Sequence, residues 1–164
     1  MMLPDREVVV ERLDVLIENA RAALAALPTA ADTEWTGVGA PTPKLPTLYL
    51  VAIDGSGELR ALDPAGFAAA MQEVSRRLDR LVRSSDVLGN TADGTFALVA
   101  ASVASSSAGA LVERVAGAVA MPLQIDGNDV SLRALVAMAF ASNGSTAESV
   151  MTAAEFELDA LLDR

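Results

Sequence analysis

The chain has 164 residues, 52% of them hydrophobic, with a formal net charge of -10, and it contains neither cysteine nor histidine. This length supports one domain with a substantial buried core. The negative charge opposes general binding to nucleic acid or to anionic membrane surfaces, so neither is expected as a partner. Without cysteine and histidine, the chain has no thiolate nucleophile, no imidazole base, no disulfide and no metal site built from these residues.

The distribution of apolar and basic residues narrows the function further. No apolar stretch reaches the roughly 20 residues that a membrane-spanning helix needs. The first six residues lack the basic and then apolar pattern of a signal peptide. Lys44 is the only lysine and lies in a proline-rich stretch, which excludes P-loop and Schiff-base lysine chemistry. These observations predict a cytoplasmic protein.

The N-terminal part of the chain has a helical pattern over residues 5–27. Its apolar seam spans fewer than three heptads, which favours packing on the same domain over pairing between chains. Pro28 ends this pattern, and residues 28–46 are rich in proline and contain Trp35. The sequence therefore predicts an amphipathic helix over 1–27, a linker over 28–46 and a domain over 47–164. The seam consists of Val9, Leu13, Leu16, Ala20, Ala23 and Leu27.

Residues 47–164 alternate between strand and helix patterns. Asp63-Pro64 is a strong helix start, and Ser145 to Glu148 predicts a capping box before the last helix. This order is typical of a two-layer α/β sandwich with a mixed, largely antiparallel sheet flanked by helices. The predicted elements are a strand over 47–53, a helix from 63 to about 83, strands near 87 and over 95–101, a helix over 105–120, strands over 122–125 and 130–140, and a helix from 145.

The first predicted hairpin turn carries the most informative motif, Ala92-Asp93-Gly94-Thr95-Phe96. In this motif and in the order of its elements, the chain from Leu48 to the C-terminus resembles a diguanylate cyclase (GGDEF) domain. The family signature Gly-Gly-Asp/Glu-Glu-Phe occupies the same hairpin turn, and only its phenylalanine, Phe96, is kept here. The resemblance implies the fold just described, in a degenerate form.

The cyclases of this family hold two divalent cations between carboxylates of the first strand and of the signature turn. In this chain the first-strand position falls on Ala52, and the signature acids fall on Gly94 and Thr95. The positions that recognise guanine fall near Arg60 and Ala68, and the C-terminal lysine that contacts phosphate is absent. The resemblance therefore implies a non-enzymatic domain with no catalytic residue, no metal and no cofactor.

Two carboxylates remain near these positions. Asp54 follows the first strand, and Asp93 lies one position before the place of a signature acid. Because oxygen ligands of magnesium must converge at about 2.1 Å, we interpret both aspartates as turn residues rather than as a displaced metal site.

One functional feature of the family is kept. Arg83-Ser84-Ser85-Asp86 lies five residues before the degenerate signature, which is the place of the family's inhibitory Arg-x-x-Asp site for cyclic di-GMP. Arg114 matches the arginine that completes this site. A guanidinium donates in bidentate fashion to guanine or phosphate, and a carboxylate accepts from guanine N–H groups. The resemblance implies a bacterial signalling domain that binds cyclic di-GMP, with a homodimer or a protein partner as output.

Other interpretations stay open on sequence alone. Arg83 and Asp86 can instead form a surface ion pair worth no more than about 1 kcal/mol. The domain can also be a protein-interaction or dimerisation module that binds no nucleotide and uses its N-terminal helix or its alanine-rich faces to pair with itself or with an active cyclase. A weak cyclase or another nucleotidyl transferase is the least favoured alternative, because the metal carboxylates are missing.

Overall fold

The computed structural model describes residues 2–26, 45–101, 105–142 and 144–164. Most of the predicted linker, including Trp35, lies outside these ranges, so its interpretation is not tested. The described elements are α1 (Arg6–Ala25), β1 (Thr47–Asp54), α2 (Ser56–Leu62), α3 (Pro64–Asp79), β2 (Val87–Ala92), β3 (Thr95–Ala100), α4 (Ser105–Ala120), β4 (Leu123–Ile125), β5 (Asn128–Val130), β6 (Arg133–Phe140) and α5 (Ala147–Leu162).

Four of these strands form one sheet in the order β2-β3-β1-β6. All of its described pairings are antiparallel, and Val51 at the middle of β1 lies between Phe96 of β3 and Val136 of β6. β4 and β5 form a separate two-stranded ribbon. The predicted antiparallel sheet flanked by helices is confirmed.

The sheet is covered by helices on both faces, so the domain has three layers rather than the predicted two. Seven of the eight residues of β1 are buried, and because successive side chains of a strand point to opposite faces, both faces must be covered. Leu48 and Leu50 face α1 and α5, whereas Tyr49 and Val51 face α3 and α4. This continuous run of buried residues, rather than an alternating one, is the pattern of a central strand.

Several boundaries differ from the sequence-based prediction. The predicted turn after Asp54 is confined to Gly55, which has a φ of 76°. The additional short helix α2 begins directly after it, at Ser56. α3 begins after its Asp63 cap as predicted, since the Asp63 carboxylate accepts from Gly66 N–H, but it ends at Asp79 rather than near 83.

The C-terminal half also differs in two details. The predicted hairpin of 122–125 with 130–140 is instead a short β4–β5 ribbon, turned at Asp126-Gly127, followed by the separate strand β6. The capping box of α5 lies one residue later than predicted and joins Thr146 with Ser149. Glu148 instead accepts a hydrogen bond from Arg6 at 2.8 Å.

The N-terminal helix α1 packs on its own domain. Val9, Leu13 and Ile17 are fully buried in the same core cluster as residues of β1 and α5. Arg6 binds Glu155 of α5, and the peptide N–H of Asn90 in β2 donates to Pro4 O at 2.8 Å. Of the described helices, none has both the length and the apolar character required to cross a membrane.

Candidate functional site

The signature turn, residues 92–96 that the resemblance matches to the family signature, lies beside the end of β1. Asp93 and Gly94 form the turn between β2 and β3, and Gly94 has a φ of 76°. Ile53 N–H donates to Gly94 O at 2.8 Å, and Ala52 lies opposite Thr95 in the sheet register. Ala52, Gly94 and Thr95, the three positions where the resemblance places metal carboxylates, are therefore neighbours in the structure, and none of them carries a charge.

The two nearby carboxylates are paired with separate arginines. Asp93 Oδ2 lies 2.6 Å from Arg60 Nη1, and Asp54 Oδ2 lies 3.5 Å from Arg133 Nε. All four side chains are half or more exposed. Within the described ranges, no group of three or more acidic side chains is arranged to hold a metal ion. The structure thus places Asp54 and Asp93 near the signature turn, but it does not bring them together as ligands.

Gly94 has little room for a side chain. A Cβ atom at this position would overlap the Ser56 side chain, and the positive φ disfavours any residue with a Cβ. An acid at position 94 would therefore require movement of Ser56 and strain in the turn. The local structure is adapted to glycine rather than to a metal ligand.

The Arg83–Asp86 segment forms a tight turn between α3 and β2. Asp86 Oδ2 accepts from Arg83 N–H at 3.0 Å, and Asp86 N–H donates to Arg83 O at 3.0 Å. Asp86 Oδ1 accepts from Ala101 N–H at 3.1 Å. The Asp86 carboxylate therefore connects this turn to the end of β3, a structural role that the sequence did not reveal.

Arg83, Asp86 and Arg114 line one pocket of about 150 Å³. α4 lies along this pocket, and the spacing of its contributing residues places them on one helix face. The remaining lining residues are Leu81, Ala100, Ser107, Ala110 and Leu111.

The two arginines of this pocket are exposed. Neither guanidinium takes part in any ion pair between described residues. The surface ion pair between Arg83 and Asp86 that the sequence left open is therefore not formed, because Asp86 binds backbone N–H groups instead. Both cationic groups are available to an anionic or guanine-containing ligand.

Tyr49 is a buried residue of β1 that contacts α4, the helix beside the pocket, and the sequence analysis did not single it out. Its hydroxyl donates to Ala108 O at 3.2 Å, which connects β1 to α4. Burial raises the pKa of Tyr49, and the negative charge of Asp86 raises it further, so the hydroxyl stays a neutral donor. The only signal in the sequence was that this single tyrosine occupies an otherwise aliphatic strand, where a buried hydroxyl needs a partner.

No protein-family model and no curated protein matches this sequence. Among solved structures, the chain is similar to the GGDEF domain of PA1120 (YfiN or TpbB) from Pseudomonas aeruginosa, with a TM-score of 0.78, 17% identity and coverage of 96% of this chain and 89% of that chain. It is similar to the GGDEF domain of DgcB from Caulobacter crescentus in complex with c-di-GMP, with a TM-score of 0.79 and 16% identity over 98% of this chain and 86% of that one.

A third similar structure is the diguanylate cyclase SiaD of Pseudomonas aeruginosa in complex with its activator SiaC. The TM-score is 0.77 and the identity 19%, with coverage of 98% of this chain and 56% of the SiaD chain. Together these similarities establish a GGDEF-like fold for the described residues.

Proposed function

We propose that this domain of GGDEF-like fold is a non-enzymatic receptor for cyclic di-GMP, which binds at Arg83, Asp86 and Arg114. The observation that carries the proposal is that these three residues, two from the α3–β2 turn and one from α4, line one pocket. They match the family's inhibitory site by spacing, and a similar domain, that of DgcB, has been solved in complex with c-di-GMP. Binding would lead to a homodimer or to docking on a protein partner.

The chemistry of the pocket suits this ligand. The guanidinium groups of Arg83 and Arg114 form no ion pair with a described residue, so they provide local positive charge in a chain of net charge -10. Each is able to donate in bidentate fashion to guanine O6 and N7 or to phosphate. Each Asp86 oxygen accepts one described backbone N–H. A carboxylate oxygen has a second acceptor site, which is free for a guanine N–H.

The size of the pocket suggests how the ligand is shared. Its volume of about 150 Å³ is below the roughly 300–1,000 Å³ typical of a pocket that encloses a whole small molecule. The pocket therefore covers part of the ligand and leaves the rest exposed. A second domain would cover this exposed part, which is the basis for expecting a ligand-dependent dimer.

The absence of turnover is part of the same proposal. Cyclase chemistry requires carboxylates that hold divalent cations at the triphosphate, and positions 52, 94 and 95 provide alanine, glycine and threonine. The nearby Asp54 and Asp93 are each paired with an arginine. A guanidinium therefore already competes with a cation for one oxygen of each carboxylate.

Arg83→Ala is expected to weaken cyclic di-GMP binding by about tenfold or more, because a hydrogen bond to a charged group contributes about 1.5–3 kcal/mol. Arg114→Ala should have an effect of similar size. Calorimetric titration of the wild type and both variants measures this change.

Arg80→Ala is the matched control, because Arg80 is an exposed arginine at the end of α3 that does not line the pocket. Binding by this variant should equal that of the wild type. No heat from the wild type at high micromolar ligand would refute the receptor. Equal loss in all three variants would assign the effect to general charge rather than to the pocket.

Incubation of the wild type with GTP and Mg²⁺ or Mn²⁺ is expected to yield no cyclic di-GMP, measured by chromatography of the nucleotides. The physical reason is the lack of converging carboxylates at the signature turn. Product that increases with protein concentration and disappears in Asp54→Asn or Asp93→Asn would contradict the non-enzymatic assignment.

The second candidate is a protein-interaction module that does not respond to nucleotide. The N-terminal helix is poorly suited to this role, because its residues Val9, Leu13 and Ile17 are buried within its own domain. Exposed phenylalanines at Phe140 and Phe156 favour this candidate instead. An oligomeric state that cyclic di-GMP does not change would support it.

A further inference from the structure

A second surface of the domain, at the edge strand β6, has an unusual apolar character. A shallow groove of about 610 Å³ lies between β6 and α5. Phe140 on one side is 53% exposed, and Phe156 on the other side is 74% exposed. The groove shares no lining residue with the arginine pocket. Its lining residues are Met138, Ala139, Phe140, Thr152, Ala153, Phe156 and Glu157.

This groove has features of a docking site. Two of the four phenylalanines of the chain face solvent within it, and aromatic side chains that face solvent together mark sites of protein contact more often than isolated apolar residues do. β6 is also the last strand of the described sheet, so its outer edge offers backbone groups to a neighbouring segment. Both observations point to a polypeptide occupant.

The charges around the groove indicate which polypeptide fits. Glu157 lines the groove. Asp159 on α5 and Asp163 at the C-cap of α5 are exposed within two turns of Phe156. Residues three and seven positions apart lie on the same side of a helix. Residues 157–164 contain three acidic side chains and one basic side chain, Arg164. The edge of the groove next to Phe156, called the acidic rim below, is therefore negatively charged.

We propose that the β6–α5 groove binds a basic amphipathic segment of a partner protein, with apolar side chains between Phe140 and Phe156 and lysine or arginine at the acidic rim. A second copy of this chain would bring the same acidic rim against this one, and like charges in contact oppose association at this groove. The chain's own residues 27–44 carry Asp32 and Glu34 against one base, Lys44, so they do not complement the rim.

A defined peptide tests this surface. The probe is a synthetic helix-forming peptide with leucines on one face and lysines on the other, labelled with fluorescein and titrated with the full chain. A peptide of the same composition, scrambled so that it has no apolar face, carries the same charge. The proposal expects the amphipathic peptide to bind at least about tenfold more tightly than the scrambled one. Equal binding of the two peptides would overturn it.

Variants of the groove test whether the amphipathic peptide binds there. Phe156→Ser and Glu157→Lys are each expected to weaken binding of the amphipathic peptide about tenfold. Leu62→Ser removes an exposed apolar residue elsewhere, and Asp79→Lys reverses an exposed charge on α3, and both should bind as the wild type does. Because Glu157→Lys changes an exposed side chain, the proposal stays falsifiable even if Phe156→Ser folds poorly. Unchanged binding in Glu157→Lys would overturn the role of the rim.

Two further readouts identify other occupants. A wild-type dimer in sedimentation velocity that Phe156→Ser converts to a monomer would show that a second copy occupies the groove. A shift in the emission of Trp35, the only tryptophan, in the same variant would show that residues 27–44 occupy it. Either outcome would overturn the proposal. Cyclic di-GMP binding should be unchanged in Phe156→Ser, so this inference and the receptor function fail or succeed separately.

Discussion

Leu13→Ala is expected to lower the free energy of unfolding of the domain by about 2–5 kcal/mol. Leu13 is fully buried between α1 and the sheet, in one core cluster with Leu50 of β1 and Met151 of α5. Removing its side chain leaves a cavity that the close-packed surroundings fill only in part. Chemical denaturation monitored by circular dichroism measures the loss.

Val15→Ala is the matched control on the same helix, because Val15 is 57% exposed. Its effect should stay within about 0.5 kcal/mol. A small effect of Leu13→Ala would show that α1 is detached from the domain in solution.

Asp86→Ala is expected to lower the free energy of unfolding by about 2–3 kcal/mol, because a partly buried carboxylate would no longer accept the N–H groups of Arg83 and Ala101. Arg83→Ala should leave stability within about 0.5 kcal/mol, since the exposed Arg83 side chain forms no ion pair with a described residue. Thermal and chemical denaturation of both variants measure these differences.

The stabilities of Asp86→Ala and Arg83→Ala determine how the ligand affinities of these variants are interpreted. If Asp86→Ala is destabilised as expected, its loss of ligand affinity combines a lost contact with a disturbed turn. Arg83 and Arg114 then report on the ligand alone. Equal stability of the Asp86→Ala variant and the wild type would contradict the structural role of Asp86. It would also leave ligand binding as the main reason for an aspartate at this position.

Local signals in the sequence predicted much of the fold. The Asp63-Pro64 start of α3 and the turn at Asp93-Gly94 depend on neighbouring residues, so they could be predicted without knowledge of the tertiary structure. The capping box of α5 was predicted one residue too early, because Glu148 binds Arg6 of a distant helix. The layer count was also wrong, since the helices that cover each face of β1 are distant in sequence.

In the candidate site, too, some features could be predicted from the sequence and others depend on the tertiary structure. The positions of Arg83, Asp86 and Arg114 followed from spacing and resemblance, and the structure places all three at one pocket. The Asp54–Arg133 pair could not be predicted, because these residues become neighbours only when β6 pairs with β1. The pairing of Arg60 with Asp93 likewise depends on how α2 meets the signature turn.

Nuclear magnetic resonance of the arginine Nε–Hε groups, with and without cyclic di-GMP, tests the central claim most directly. Individual Arg→Lys variants assign the signals. The receptor account predicts that the signals of Arg83 and Arg114 shift on ligand addition, while those of Arg60 and Arg133 at the signature turn do not. Shifts at Arg60 and Arg133 without shifts at Arg83 and Arg114, or no shift at all, would contradict it.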